Sequence, residues 1–416
     1  MIKKRLVIIG GGAAGFFCAI NAAGLNPALE VIILEKSGKL LSKVKVSGGG
    51  RCNVTHACYS IADMVKKYPR GSSFLKKAFH HFFTNDIIEW FAARGVILKT
   101  EPDGRMFPVT DSSQTIIDCL MQEANRSGVE IRLNKEVKRI SSNEGKWNLV
   151  MKDDTVLQSD LICIASGGYP KIVQYNWLKE TEHHIEEPVP SLFTFNLQTG
   201  QAGMPGNSIT ALMGVSVEKA LVKIAGSKLT EEGPLLITHW GMSGPAILKL
   251  SAWGARELAM ANYQFNILIN WIPDFNENSL REKIQKLRFE LAPQKIINRN
   301  PFLLPNRLWE YLLIQSGIQV DLRWADLPAK EQNKLIKNLC SNEYAVSGKT
   351  TFKEEFVTAG GILLNEIDFN SMQSKKYPGL FFAGEVIDVD GITGGYNFQN
   401  AWTTGWIAAK AITGIQ

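Results

Sequence analysis

The sequence predicts an α/β fold in which a parallel sheet with a β meander is interrupted by an inserted β-rich and helical unit. Three observations predict it. The short apolar runs Leu6-Val7-Ile8-Ile9, Val31-Ile32-Ile33-Leu34 and Leu161-Ile162-Cys163-Ile164 end in small or acidic residues, as strands buried on both faces do. A run of the same kind, Leu380-Phe381-Phe382-Ala383, stands near the other end of the chain, just before a helical C-terminus. Between Pro188 and Gly348 the pattern changes twice, first to alternation and then to charged helices.

The elements follow in order. The first apolar run passes through Gly10-Gly11-Gly12 into a small-residue helix over 13–23, and the second run closes a β-α-β unit. A helix is expected over 73–94, then hairpin-like strands near 96–99 and 104–107. A helix over 113–127 leads to a strand at 130–133. After the turn at Asn143-Glu144-Gly145, 147–151 and 155–157 read as meander strands. From 188 to 271 the residues alternate, as in Ser216-Val217-Glu218-Lys219-Ala220, which suggests a barrel-like module. Helices are expected over 279–290, 305–315 and 328–340. The implied division is a discontinuous cofactor domain (1–187 and 350–416), an inserted β-rich domain (188–273 and 341–349) and a helical subdomain of the insert (274–340).

Composition narrows the function classes. A chain of 416 residues has room for two or three domains, and 45% hydrophobic with 21% charged residues is ordinary for a soluble protein. No apolar run approaches the roughly 20 residues of a membrane span, so no membrane partner is expected. Lys3-Lys4-Arg5 before an apolar stretch imitates a signal peptide, but Gly10-Gly11-Gly12 disfavours the helix such a peptide needs. The net charge of +6 is dispersed without a basic stripe, so nucleic acid is an unlikely partner. Six cysteines lack disulfide or zinc spacing and read as reduced thiols in a cytoplasmic protein; no metal is expected. The sequence leaves the oligomeric state open.

The chemistry is concentrated in glycine-rich turns. Gly10-x-Gly12-x-x-Gly15 follows a strand and opens a helix, and Glu35 ends the next strand. Glycines there let the backbone reach a pyrophosphate, the helix N-terminus offers unpaired N–H groups, and the acid accepts ribose hydroxyls. The candidate contacts are Gly10, Gly12, Ala13, Ala14, Gly15, Glu35 and Lys36. The C-terminal end decides which dinucleotide. Gly384-Glu385 after an apolar strand looks like the late flavin motif whose carboxylate binds the ribityl chain, with Glu in place of the usual Asp. Gly394-Gly395 then opens a helix, a suitable N-terminus for the N1–C2=O edge of an isoalloxazine. Gly395, Tyr396, Asn397, Phe398 and Gln399 are its candidate contacts, and FAD is the expected cofactor. Ala165, Ser166 and Gly167 read as a strand-end turn that returns to the cofactor, and Val137 as a backbone contact to adenine. Ser47, Gly50, Arg51, Cys52 and Asn53 form a second glycine-rich approach, with Arg51 available to a phosphate. Cys52 and Cys58 are one residue out of register for a redox-active pair, and the chain has no second glycine fingerprint of the kind disulfide reductases carry.

The segments Gly10–Gly15, Ser47–Thr55, Gly104–Pro108, Thr238–Ala246 and Gly384–Gln399 closely resemble the BaiN/RdsA family of flavoproteins, NAD(P)/FAD-dependent or aminoacetone-oxidase-type oxidoreductases. The resemblance covers nearly the whole chain. It implies a flavin fold with an inserted β-barrel and a small helical subdomain. It departs at 169–184, where the family's glycine-rich stretch is replaced.

These readings predict an FAD-dependent oxidoreductase that moves hydride between a small organic substrate and flavin N5. Oxygen or NAD(P)H is the second redox partner, so an amine oxidase and a reductase of an activated double bond both stand. An RNA-modifying flavoprotein or a redox-sensing flavin module is the alternative. Tyr396 and Asn397 are the candidates beside the ring. His239 is a candidate general base, although its place beside Ser243-Gly244-Pro245, a helix start, also suits a structural or ligand-orienting role. Asp388 and Asp390 are read either as loop-stabilising acids or as substrate contacts.

Overall fold

The computed structural model describes residues 3–198, 208–351 and 357–414. The chain forms two compact units, one of Met1–Ser191 with Phe352–Gln416 and one of Leu192–Thr351.

The first unit is built on a five-stranded parallel sheet. Its order is Leu380–Phe382, Leu161–Ile164, Arg5–Ile9, Glu30–Leu34, Glu130–Arg132. Leu6 pairs with Leu161 on one side and Val31 on the other, and Ile9 with Ile164 and Leu34. These side chains are buried, so the runs are continuously apolar. The helix Ala13–Leu25 packs against the C-terminal helix Tyr396–Thr413. The approach needs Gly405, where a Cβ would stand 2.9 Å from the Ala14 carbonyl oxygen. Trp402 lies 5.3 Å from Phe17 and donates its indole N–H to the Val54 carbonyl at 2.9 Å.

Two antiparallel groups complete this unit. Val137–Asn143, Lys146–Met151 and Val156–Ser159 form the expected meander. Thr55–His56, Arg105–Pro108 and Leu98–Thr100 form a small sheet. The helix expected over 73–94 is two, Ser72–Ala78 and Thr84–Ala92. Asp86 Oδ2 accepts the Phe83 N–H at 2.6 Å, a cap that starts the second helix afresh. The remodelled segment contains the 3-10 turns Ile172–Thr181.

The second unit is a closed six-stranded barrel, ordered Thr194–Leu197, Gly241–Ser243, Thr230–Ile237, Ser216–Ile224, Phe265–Asn270, Asn342–Thr350. The strand Ser216–Ile224 turns Val217, Ala220, Val222 and Ile224 inward. Its two consecutive outward residues, Glu218 and Lys219, sit at a register shift between Val217 and Ala220. Helices Glu277–Glu290, Asn306–Gln315 and Ala329–Cys340 place Leu280, Trp309 and Leu335 in the same apolar core as barrel residues Phe195, Val222 and Ile269.

Candidate functional site

The carboxyl ends of the parallel strands Arg5–Ile9, Glu30–Leu34 and Leu161–Ile164 bring the first three groups of candidate residues together. The Gly10 amide donates to the Leu34 carbonyl at 2.8 Å, and the Ala165 amide to that of Ile9 at 2.9 Å. Gly10 has φ +119°, and a Cβ there would run into the Ala165 carbonyl; one at Gly15 would run into that of Gly10. Those two glycines are required by the protein's own packing. Gly12 is different. It caps the helix Ala13–Leu25 without a side-chain hydrogen bond, and a Cβ on it would meet nothing within 4 Å. A helix N-terminus whose first N–H groups lack intrahelical partners therefore faces open space, the arrangement that receives an anion. Gly167 (φ +75°) borders open space too.

Glu35 is held by its neighbours. Its Oε2 accepts the Gly11 N–H at 2.9 Å, and its Oε1 accepts the Ser37 N–H at 2.9 Å and hydroxyl at 2.8 Å. Each carboxylate oxygen has more than one lone-pair site, so capacity for ribose hydroxyls remains. The Lys36 ammonium lies 5.0 Å from the Tyr169 ring centroid. Val137 is buried at the start of the meander, opposite Met151.

The second glycine-rich approach, Ser47 to Asn53, follows a helical turn and then leaves helical geometry. Ser47 is extended, and Gly48, Gly49 and Gly50 have φ of +59°, +70° and +85°. Cβ atoms at Gly49 and Gly50 would meet nothing. Arg51 is already engaged: its guanidinium lies 2.5 Å from Glu101 Oε1 and 3.6 Å from Asp111, and 4.0 Å from the Phe107 ring centroid. Cys52 is fully buried, and burial pushes its thiol up to about 12, so it stays protonated. Cys52 and Cys58 are both free thiols.

Asn53 joins this stretch to the C-terminal helix. With the amide oriented by its neighbours, its nitrogen donates to the Thr55 carbonyl and its oxygen accepts the Gly395 N–H, both at 2.9 Å. His56 Nδ1 donates to the Gly394 carbonyl at 3.1 Å, and its ring stacks on Tyr396 at 4.9 Å. The Tyr68 hydroxyl donates to the Tyr396 carbonyl at 2.7 Å. Burial pushes the Tyr396 phenol up, so it remains neutral. Gln399 is wholly buried; its Oε1 accepts the Thr55 hydroxyl at 2.6 Å. Phe398 stacks on Trp402 at 5.8 Å. The side chains of Asn397, bonded to the Gly391 N–H and carbonyl, and of Gln399 thus serve the protein's own frame. The first-turn N–H groups of Tyr396, Asn397 and Phe398 are the ones a helix leaves for a ligand.

Glu385 has partners that sequence reading missed. Lys43 Nζ lies 2.5 Å from its Oε2, and its Oε1 accepts the Thr358 N–H at 2.8 Å. Gly384 donates to Thr404 Oγ1 at 2.8 Å. Lys43, His56 and Tyr68 carried no local signal, because each acts on a residue more than 300 positions away. Asp390 is fully buried between Arg70, which pairs with both carboxylate oxygens, and the Ser191 hydroxyl. Burial pushes its carboxyl up against the pull of Arg70. Asp390 therefore belongs to the frame. His239 lies in the second unit, exposed, with its ring edge-on to Trp240 at 4.8 Å.

The open glycines and the bare helix N-terminus fit a dinucleotide: Gly12 to Ala14 would hold the pyrophosphate and Glu35 the ribose. Among the described residues no cluster of three or more His, Cys, Asp or Glu could hold a metal ion, and no helix is long and apolar enough to cross a membrane.

A family model described as the HI0933-like protein Rossmann domain matches residues 4–411. The chain is 31% identical over 99% of its length, and 98% of the relative's, to a ribosomal RNA dihydrouridine synthase of Escherichia coli K12. It is 25% identical, over 98% of each chain, to a 3-dehydro-bile acid delta(4,6)-reductase of Clostridium scindens. Among solved structures, a 3-ketosteroid-delta4-(5alpha)-dehydrogenase of Rhodococcus jostii RHA1 superposes with a TM-score of 0.51 at 12% identity, covering 99% of this chain and 98% of that one. That likeness is one of fold.

Proposed function

The chain belongs to the HI0933-like Rossmann family, and from that premise we propose that it is an FAD-dependent reductase of activated carbon–carbon double bonds, with uridine in ribosomal RNA as its favoured substrate. The observation that carries this reading is the full-length relationship to a ribosomal RNA dihydrouridine synthase. The second relative's name describes reduction of double bonds as well. Uridine C5=C6 is conjugated with the C4 carbonyl, and saturating it adds a hydride and a proton. The two names favour the reductase over the amine oxidase, and NAD(P)H is then the electron donor.

Bound flavin would supply the hydride from N5. The chain's own part is to hold and orient. Gly12 to Ala14 and Glu35 would hold the adenosine and pyrophosphate end, with Val137 and Ala165 to Gly167 as further contacts. The first-turn N–H groups of the C-terminal helix would stabilise negative charge on the ring edge, by roughly 0.3–1 kcal/mol for an exposed site. Tyr396, kept neutral by burial, and the backbone of Asn397 are proposed beside the ring. Dispersed surface charge argues against gripping long duplexes, but not against taking one nucleotide out of its stack.

An anaerobic titration tests the reading. NADPH should bleach the flavin absorbance, and RNA containing the target uridine should restore it. Bleaching by small amines, with no response to NADPH, would replace the reductase with an oxidase.

A further inference from the structure

We propose that the Asn400 side chain is a further ligand of the flavin, accepting a hydrogen bond from a hydroxyl of its ribityl chain. The inference rests on the FAD reading above.

Asn400 is 1% exposed, and its Oδ1 is fully buried without a hydrogen-bond partner. Such atoms are rare because an unmade buried hydrogen bond forfeits the hydration the group had in water. The other buried polar side chains around it are satisfied. Gln399 meets Thr55 and Thr403, the Thr403 hydroxyl donates to the Phe82 carbonyl, and that of Thr404 to the Asn400 carbonyl. Among the described residues of the C-terminal helix, Asn400 alone has an unmet buried side-chain atom.

Its surroundings say where the missing partner lies. Asn400 stands one turn from Tyr396 and one turn from Thr404, on one helix face. Thr404 Oγ1 accepts the Gly384 N–H, so this face covers the turn that carries Glu385. Gly384 in turn approaches the first helix so closely that a Cβ would stand 2.7 Å from that of Ala14. Asn400 therefore sits where the N-terminal turn of the first helix, the Gly384-Glu385 turn and the start of the C-terminal helix converge. A pyrophosphate at the first of these and an isoalloxazine at the last leave the ribityl chain to pass between them. Ribityl hydroxyls are donors, and the orphan oxygen is an acceptor.

The test uses apoprotein prepared from the full chain, with FAD and FMN affinities read from quenching of flavin fluorescence. Asn400→Leu and Asn400→Ala should each weaken binding by about tenfold or more, the loss expected for one buried hydrogen bond. FAD and FMN should suffer alike, because both carry the ribityl chain. The Leu variant should also raise the melting temperature of the apoprotein, since it removes an unpaired buried amide of similar volume. If Leu disrupts the fold, the Ala variant carries the affinity measurement. Unchanged flavin affinity in the variant that folds would overturn the proposal and assign Asn400 to the frame alone. Wild-type apoprotein that takes up no flavin would instead overturn the cofactor reading itself.

Discussion

The Asn397 carboxamide clasps Gly391 from both sides: its Oδ1 accepts the Gly391 N–H and its Nδ2 donates to the Gly391 carbonyl, each at 2.8 Å. The clasp ties the loop before the C-terminal helix to that helix's first turn. Replacing Asn397 with Ala leaves a backbone N–H and carbonyl unpaired, at a cost of about 1–3 kcal/mol for each that stays buried. The Asn397→Ala variant should melt several degrees lower and bind flavin more weakly, and Asn397→Asp, which keeps the acceptor but sets a carboxylate oxygen against the Gly391 carbonyl, should not recover the loss. Thermal unfolding with and without FAD checks both.

The glycine fingerprint separates into two roles that mutation can tell apart. Gly12→Val should leave the apoprotein's melting temperature nearly unchanged, because the new side chain enters open space. It should lower FAD affinity by two orders of magnitude or more. Gly15→Ala should destabilise the protein itself, because its Cβ meets the Gly10 carbonyl. Equal FAD binding by Gly12→Val would show that the cofactor does not lie at this helix.

Glu35 predicts a selective loss. Glu35→Gln keeps the shape but removes the charge that accepts ribose hydroxyls, and one charge-assisted bond is worth roughly 1.5–3 kcal/mol. FAD affinity should fall at least tenfold, and FMN affinity should hold, since FMN lacks the adenosine ribose. A parallel loss for both flavins would mean that Glu35 only supports Gly11.

His183 predicts an acid-sensitive step. It is buried between the Thr181 and Ser374 hydroxyls, at 2.9 and 2.8 Å. Burial holds its imidazole down at about 4. The unfolded chain therefore takes up a proton that the folded one refuses. The stability due to the neutral ring is fully present above about pH 6.5 and is lost as pH falls toward 4. Replacing His183 with Gln should flatten the fall of melting temperature between pH 7 and pH 4. An unchanged slope would assign that sensitivity to other groups.

The parallel sheet was legible because strands buried on both faces are written as continuous apolar runs, as at Leu6 to Ile9. The barrel was legible from alternation, even where Glu218 and Lys219 break it at a bulge. Contacts distant in sequence were not legible. Nothing near Arg51 announces Glu101, and nothing near Glu385 announces Lys43, so Arg51 read as free for a phosphate. The break before Thr84 was hidden because helix periodicity continues across it; only the Asp86 cap reveals it. Asn397 and Gln399 were legible as important, but their amides could face ligand or backbone, and only the fold shows them facing backbone.

The most direct measurement of the account is a nucleoside analysis of ribosomal RNA. RNA from cells lacking this protein is incubated anaerobically with purified protein, FAD and NADPH, then digested and examined by mass spectrometry. The account predicts a nucleoside two hydrogens heavier than uridine, absent when Gly12→Val replaces the wild type. No such product, from protein that holds FAD and is bleached by NADPH, would contradict it.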